Sequence, residues 1–232
     1  MTQHIRALQS DLQDGGFYEG EIDGDWGPLT QSAWDAALQS ARLRCDAAVP
    51  SKPAHVNISL AWSAKVSPDF CDKVLWISSN LKMPSQGPDW IMGCIAWETG
   101  ETFSPSVVNR AGSGATGLIQ FMPRTATGLG TTTAALAKMT AEEQLNYVYR
   151  YFLPYKGRLN SLADVYMAIL WPAGIGKSPA WALWDADSKP ITYRQNAGLD
   201  INHDGVITKA EATAKVQAKL DKGRQAEYRR AA

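Results

Sequence analysis

Apolar side chains recur at intervals of three and four residues along most of this 232-residue chain. The pattern begins near the N-terminus, with Ile5, Leu8 and Leu12, and the strict alternation of a half-buried strand is almost absent. Such a period places the apolar side chains on one face of a helix. The sequence therefore predicts a mostly α-helical fold.

Turn residues and caps mark where the predicted helices begin and end. Gly15 and Gly16 end the first helix over residues 3–13, and Pro28 opens a second. A capping-box pattern, Thr140 followed by Glu143, starts a later one. The helices predicted after the second cover residues 68–81, 88–100, 116–128, 132–137, 140–151 and 160–170.

Residues 47–65 separate two parts of the chain, because this stretch contains Pro50 and Pro53 and has no sustained apolar period. The part before it reads as a helix, a glycine-rich loop and a helix, a unit whose small core makes it marginally stable alone. We therefore predict an N-terminal module of residues 1–46, a linker of residues 47–65 and a larger helical domain of residues 66–232.

Charge and cysteine content narrow the possible functions. The formal net charge is zero, so a nucleic-acid partner is not expected. Three cysteines do not make a disulfide framework, which fits folding in a reducing cytoplasm. The N-terminus lacks the apolar region of a signal peptide, and no window approaches the length of a membrane span. We expect neither a secretion signal nor stable membrane insertion.

The segment WETGETFSP contains two glutamates, Glu98 and Glu101. Glu98 follows the apolar run WIMGCIAW, which would desolvate its carboxyl group and raise its pKa, as general acid catalysis requires. Glu101 follows Gly100, which is expected to break the helix, so Glu101 is interpreted as a residue at the rim of the site. The alternative is a helix end with a solvated glutamate and no chemistry.

Residues 97–130 (WETGETFSPSVVNRAGSGATGLIQFMPRTATGLG) resemble the central motif of lytic transglycosylases with the lysozyme-like fold. In that family a helix ends in a catalytic Glu, and a Gly-Ala-x-Gly-Leu-x-Gln segment followed by Pro-x-Thr-Ala comes next. The resemblance extends over residues 66–200. It implies a lysozyme-like α-helical catalytic domain in which Glu98 is the catalytic acid and base.

The resemblance also implies residues that bind the substrate. Gly117 would let the backbone approach a sugar closely, and Gln120 offers both a donor and an acceptor to an N-acetyl group. Ser113 is a weaker match, taking the place of a serine that the family often has at Ala111. The family often has Tyr-Asn-Ala-Gly where this chain has residues 171–174 (WPAG), so Tyr166 and Tyr193 are candidates to line the cleft, with packed aromatics as the alternative.

The number of catalytic carboxylates separates two reactions. Glycoside hydrolases commonly use two, about 5 Å apart or about 6.5–9.5 Å apart. After Glu101 the next acidic residue is Glu142, although Asp164 or Asp185 could fold back. A single Glu98 favours a lytic transglycosylase that leaves a 1,6-anhydro-MurNAc end and needs no cofactor for catalysis. The alternatives are a hydrolytic muramidase with the same Glu98 and a non-catalytic wall-binding or virion protein.

Residues 8–38 (LQSDLQDGGFYEGEIDGDWGPLTQSAWDAAL) resemble the peptidoglycan-binding domain of the small three-helix type, and the match covers residues 5–43. The resemblance implies that the N-terminal module binds the bacterial cell wall. Tyr18 and Trp26 would then offer aromatic surface to a glycan or stem peptide, whereas Trp26 could instead only close the small core.

Residues 200–211 (DINHDGVITKAE) fit the twelve-residue calcium loop of an EF-hand. The oxygen ligands would come from the side chains of Asp200, Asn202, Asp204 and Glu211 and from the carbonyl of Val206. The preceding segment is a poor entering helix. The pattern predicts an EF-hand-like loop with a structural Ca²⁺ ion, and the alternative is a metal-free loop closed by its own Asx turns.

Together the two resemblances indicate a phage-type modular endolysin. We expect a monomer with peptidoglycan as its partner, made in the host cytoplasm and reaching the wall after membrane permeabilisation.

Overall fold

The computed structural model describes residues 2–25, 27–30, 32–34, 36–37, 59–109 and 112–230. The chain divides into two compact units, Met1–Lys52 and Pro53–Ala232. Both are mostly α-helical in the described residues, and the second contains one small two-stranded antiparallel sheet. The predicted mostly α fold is confirmed.

The small unit is organised around one buried glutamine. Helix α1 (Thr2–Asp14) places Gln9 against the loop that follows, and further helical residues lie at 28–30, 32–34 and 36–37. The amide nitrogen of Gln9 donates to Asp23 Oδ1 at 2.7 Å and to Thr30 Oγ1 at 3.0 Å, and its oxygen accepts from Gly24 N at 2.8 Å. One side chain therefore fixes both ends of the Ile-Asp-Gly loop. Residues 38–46 of the predicted N-terminal module lie outside the described residues.

The second unit contains the remaining helices. They are α2 (Pro68–Asn80), α3 (Gly87–Glu98), α4 (Pro123–Gly128), α5 (Thr133–Leu136), α6 (Ala141–Phe152), α7 (Leu162–Leu170), α8 (Pro190–Asn196) and α9 (Lys209–Gly223). Strands β1 (Ala182–Asp185) and β2 (Val206–Thr208) pair antiparallel. The capping box predicted at Thr140 and Glu143 is confirmed at the start of α6.

Helix α3 is the centre of this unit, packed against α2, α7 and α9. It is buried along almost its whole length, including Ile91, Met92 and Ile95. Gly93 allows α9 to approach closely, because a Cβ at that position would lie 3.1 Å from Leu220 Cβ. A helix held on several faces presents its C-terminal residue in a defined direction.

Three predictions of local structure differ from what is observed. Residues 116–122 form turns, and only Pro123–Gly128 of the predicted helix 116–128 is helical, since Gly117 (φ 86°) and Gln120 (φ 52°) are left-handed. The β1–β2 sheet was not predicted, because strands of four and three residues are too short to show alternation. A seven-residue helix, α8, forms where a poor helix was expected.

The predicted linker ends earlier than residue 65. Residues 47–58 lie outside the described part of the chain, but Leu60, Ala61 and Trp62 are buried in the second unit. Trp62 N donates to Gly223 O at 3.0 Å and Trp62 Nε1 to Lys219 O at 2.9 Å, so this segment is attached to α9. No helix among the described residues is long and apolar enough to cross a membrane.

Candidate active site

Helix α3 ends at Glu98 in a tight reversal of the chain. Gly100 N donates to Trp97 O at 3.3 Å and Glu101 N to Ala96 O at 2.7 Å, the two bonds of a Schellman motif. Gly100 is left-handed (φ 59°), as this motif requires. Gly100 therefore ends the helix as the sequence predicted, and it leaves Glu98 in the last helical position.

The carboxyl group of Glu98 is half-buried and isolated. It makes no hydrogen bond or ion pair with any residue that the structure describes, and the apolar end of α3 lies behind it. Burial raises the pKa of Glu98 from its ordinary value of 4.5 to about 8. The carboxyl group is therefore protonated at neutral pH, the state that a proton donor to a leaving oxygen requires.

Two tyrosines lie within electrostatic range of Glu98. Tyr166 on α7 is buried, and its hydroxyl accepts a hydrogen bond from Trp97 Nε1 at 3.1 Å. Burial raises the pKa of the Tyr166 phenol, and a charge on Glu98 raises it further. Tyr151 on α6 responds in the same way, and its hydroxyl donates to Ala168 O at 2.7 Å. Tyr166, a predicted cleft residue, therefore lies next to the end of α3 but is buried there, which fits the packed aromatic weighed as the alternative.

The environment of Glu101 is the opposite of that of Glu98. Its two carboxylate oxygens form ion pairs with Lys219 and Lys222 of α9, the second at 2.6 Å. Burial opposes ionisation of Glu101, but the lysine hydrogen bonds outweigh it, so its pKa is lowered. The two glutamates of the ETGE segment are thus separated into one neutral, unpaired acid and one ionised, paired acid.

The two distant acids considered as catalytic partners, Asp164 and Asp185, both make hydrogen bonds with residues other than Glu98. Asp164 forms a buried ion pair with Lys209 at 2.6 Å and accepts from Gly176 N at 2.8 Å. Asp185 accepts hydrogen bonds from Ser188 and from Asp187 N within its own turn. Among the described residues, no second carboxylate shifts the pKa of Glu98.

The glycine-rich segment after α3 is held by Gln144 of α6, which is fully buried. Gln144 Oε1 accepts from Leu118 N at 2.6 Å, and its amide nitrogen donates to Pro105 O at 3.0 Å and to Leu136 O at 2.9 Å. A Cβ on Gly117 would overlap the Gln144 side chain. Packing against Gln144 therefore accounts for Gly117, which was predicted to allow close approach of a sugar.

The side chain of Gln120 keeps one hydrogen-bonding group that has no partner among the described residues. Its amide nitrogen donates to Val107 O at 3.2 Å and to Gly117 O at 3.0 Å, which uses both of its donors. The carbonyl oxygen of this half-buried side chain remains as an acceptor, so the expected donor role toward a ligand does not hold. Ser113 is exposed, and its hydroxyl accepts from Ala115 N at 3.3 Å.

Two other predicted substrate-binding tyrosines lie elsewhere. Tyr193 donates from its hydroxyl to Asp200 Oδ2 at 2.6 Å and so belongs to the loop of residues 200–211. Tyr18 is 5% exposed and lies in the core of the small unit with Leu12 and Ala33, which corrects the prediction that it offers surface to a ligand. Trp26 lies outside the described residues.

The backbone of residues 200–211 follows the predicted loop. Gly205 is left-handed (φ 83°), and Glu211 lies in the first turn of α9. Asp200 accepts from Gly205 N at 3.0 Å and from His203 N at 2.8 Å, and Asp204 accepts from Val206 N at 2.9 Å. The loop is thus closed by its own Asx-type bonds, the alternative weighed from the sequence.

The all-oxygen donor set of this loop suits Ca²⁺. However, no three His, Cys, Asp or Glu side chains of the described residues converge closely enough to hold a metal ion. Asn202 Nδ2 donates to Asp204 Oδ2 at 2.9 Å, and Glu211 accepts from Thr208 N at 3.0 Å. The residue types and the backbone fit a calcium ion, and the side-chain conformations do not.

Several residues of the site were not found from the sequence. Tyr151 lies in an aromatic run (YVYRYF) in which no spacing distinguishes one tyrosine from another. Lys219 and Lys222 are more than a hundred residues from Glu101, and they occur in a helix that resembles any solvated helix. Gln144 could have been recognised as a polar residue on the apolar face of an amphipathic helix, next to Leu145 and Val148.

No protein-family model matches the sequence, and no curated protein matches it either. The function must therefore be inferred from the geometry around Glu98 and from the motifs of the chain.

Proposed function

We propose that the second unit is a peptidoglycan lytic transglycosylase of the modular endolysin type, cleaving the MurNAc-β-1,4-GlcNAc bond with Glu98. One observation carries the proposal. Glu98 is an isolated carboxyl group whose pKa is raised to about 8. It lies at the end of helix α3, and the turn after this helix leads to the glycine-rich segment. This environment favours a reaction that begins with protonation of the leaving oxygen, because the carboxyl group carries the proton that such a step needs.

The reaction needs one group that acts twice. Protonated Glu98 donates its proton to the glycosidic oxygen as the bond to C1 breaks. The resulting carboxylate then takes the proton of the C6 hydroxyl of the same MurNAc residue, whose oxygen attacks C1 and forms the 1,6-anhydro ring. Because the nucleophile belongs to the substrate, its proximity replaces a positioned water.

The engagement of Asp164, Asp185 and Glu101 in other contacts supports this reaction over hydrolysis. Asp164 and Asp185 are committed to hydrogen bonds of the fold, and Glu101 is paired with two lysines. Within the described part of the chain, none is available to activate water or to act as a nucleophile. A muramidase that uses Glu98 alone is the second candidate, and its products differ chemically.

For the small unit, we propose binding to the cell wall, which would concentrate the enzyme on an insoluble substrate. The loop fixed by Gln9 and the helical residues after it support this proposal, because they expose Ile22 (37%) and Leu29 (68%) while Tyr18 stays in the core.

The proposal includes a structural Ca²⁺ at residues 200–211 and assigns no catalytic step to the ion. Binding of the ion requires the side chains of Asn202, Asp204 and Glu211 to exchange their present hydrogen bonds for contacts with it.

Replacement of the proposed acid tests this function. Glu98→Gln should abolish release of soluble fragments from purified peptidoglycan, because an amide cannot donate the required proton. Glu227→Gln is the matched control, since Glu227 is an exposed glutamate of the same unit. Unchanged cleavage by the Glu98→Gln variant would show that Glu98 is not the acid, whereas no cleavage by the unmodified protein would favour a non-catalytic wall-binding or virion protein.

A further inference from the structure

We propose that Glu101, Lys219 and Lys222, here called the Glu101 cluster, position Glu98 for catalysis by fixing the turn after α3 to the C-terminal helix α9. The inference rests on the proposed function and adds positioning residues to it. None of the three touches the reacting atoms in this scheme.

The backbone conformation of Glu101 is unfavourable for a residue with a side chain, which indicates that the contacts of this side chain matter. Glu101 is left-handed (φ 70°), directly after the left-handed Gly100. A glutamate is strained in this conformation, whereas a glycine would adopt it freely. A residue that is unfavourable for the backbone is tolerated when its side chain makes compensating contacts, and here those contacts are two ion pairs.

The two lysines are themselves held in place. They lie three residues apart on α9, on either side of Leu220, which packs on Gly93 of α3. The ammonium group of Lys222 also lies over the ring of Trp62 at 5.5 Å and over that of Tyr228 at 5.2 Å. The Glu101 cluster therefore ties the turn to the helix that packs against α3.

The turn also connects Glu98 to the predicted substrate-binding segment. Phe103 is left-handed (φ 53°) and buried, and its amide donates to Thr99 Oγ1 at 3.1 Å. A few residues on, Val107 O accepts from Gly117 N at 2.8 Å and from the side chain of Gln120. A shift of residues 100–107 would therefore change the distance between Glu98 and the oxygen of Gln120.

Initial rates of peptidoglycan cleavage over a range of substrate concentrations, measured well below the melting temperature, test the inference. We expect Glu101→Gln, Glu101→Lys and the double variant K219E/K222E to lower kcat by on the order of tenfold. The apparent KM should change little, because the substrate-binding segment stays folded. Lys215→Gln, at an exposed lysine of the same helix, should retain the rate of the unmodified protein.

Charge reversal distinguishes positioning from simple stability. The triple variant E101K/K219E/K222E restores the attraction and should recover most of the lost kcat. If Glu101→Gln has a lowered melting temperature but a kcat within twofold of the unmodified protein, the cluster is only structural and the inference is overturned. If Glu101→Lys does not fold, Glu101→Gln carries the test. Failure of the proposed function would look different, since either the unmodified protein would not cleave peptidoglycan or Glu98→Gln would still cleave it.

Discussion

Glu98→Gln should make the protein more stable at neutral pH while removing its activity. The folded state holds a carboxyl group with a pKa of about 8, against an ordinary value of 4.5 in the unfolded chain. Because the pKa of Glu98 is higher in the folded state, the protonated group makes its full contribution to the free energy of unfolding below about pH 4.5. This contribution is then lost progressively as the pH rises to about 8. Glutamine carries no charge in either state and so escapes this loss.

The size of the effect follows from the shift. Each pH unit above the unfolded pKa costs about 1.4 kcal/mol until the folded pKa is reached. At pH 7 the loss is about 3 kcal/mol, which corresponds to roughly 10 °C in melting temperature for a unit of this size. The cost of burying the side-chain amide that Glu98→Gln introduces does not depend on pH. The quantity to compare is therefore how the difference in melting temperature between Glu98→Gln and the unmodified protein changes with pH.

Thermal unfolding of the unmodified protein and of Glu98→Gln from pH 4 to pH 9 measures this difference. It should grow in favour of Glu98→Gln from about pH 4.5 and level off near pH 8. Glu101→Gln is the matched control, because the pKa of Glu101 is lowered by its lysine partners. That variant should be destabilised at neutral pH, with a difference that shrinks in acid. A difference for Glu98→Gln that stays constant from pH 4 to pH 8 would refute the account of Glu98.

Three further outcomes are expected. The kcat/KM for peptidoglycan should fall as the pH rises through about 8, because Glu98 must be protonated to act as an acid; a rate that rises there would contradict this role. Gly117→Ala should lower the melting temperature, since it overlaps Gln144 and requires a left-handed alanine, and an unchanged value would show that the segment relaxes freely. Added Ca²⁺ should raise the melting temperature of the unmodified protein but not that of Asp204→Ala, and no rise in either would contradict the calcium prediction.

The sequence predicted the parts of the fold that depend on local signals. The apolar run before Glu98 and the helix-breaking Gly100 predict both the position of the acid and the burial that raises its pKa. The capping box at Thr140 likewise depends only on residues close in sequence.

Features that depend on distant contacts were missed or misassigned. Residues 116–122 appeared helical, because the buried Gln144 that imposes their turns is distant in sequence. Tyr18 appeared to be a surface aromatic, because its hydrogen bond with Gln9 and its packing against Leu12 cannot be read from a loop motif. The pairing of Glu101 with Lys219 could not be predicted from the sequence either, since only the packing of α9 on α3 brings the two residues together.

Mass spectrometry of the fragments released from purified peptidoglycan tests the central claim most directly. A single carboxyl group, whose pKa no second carboxylate of the described residues shifts, predicts muropeptides that end in 1,6-anhydro-MurNAc, and Glu98→Gln should release none. Fragments that end in reducing MurNAc would contradict the account, because they form when water, and not the C6 hydroxyl of the substrate, attacks C1.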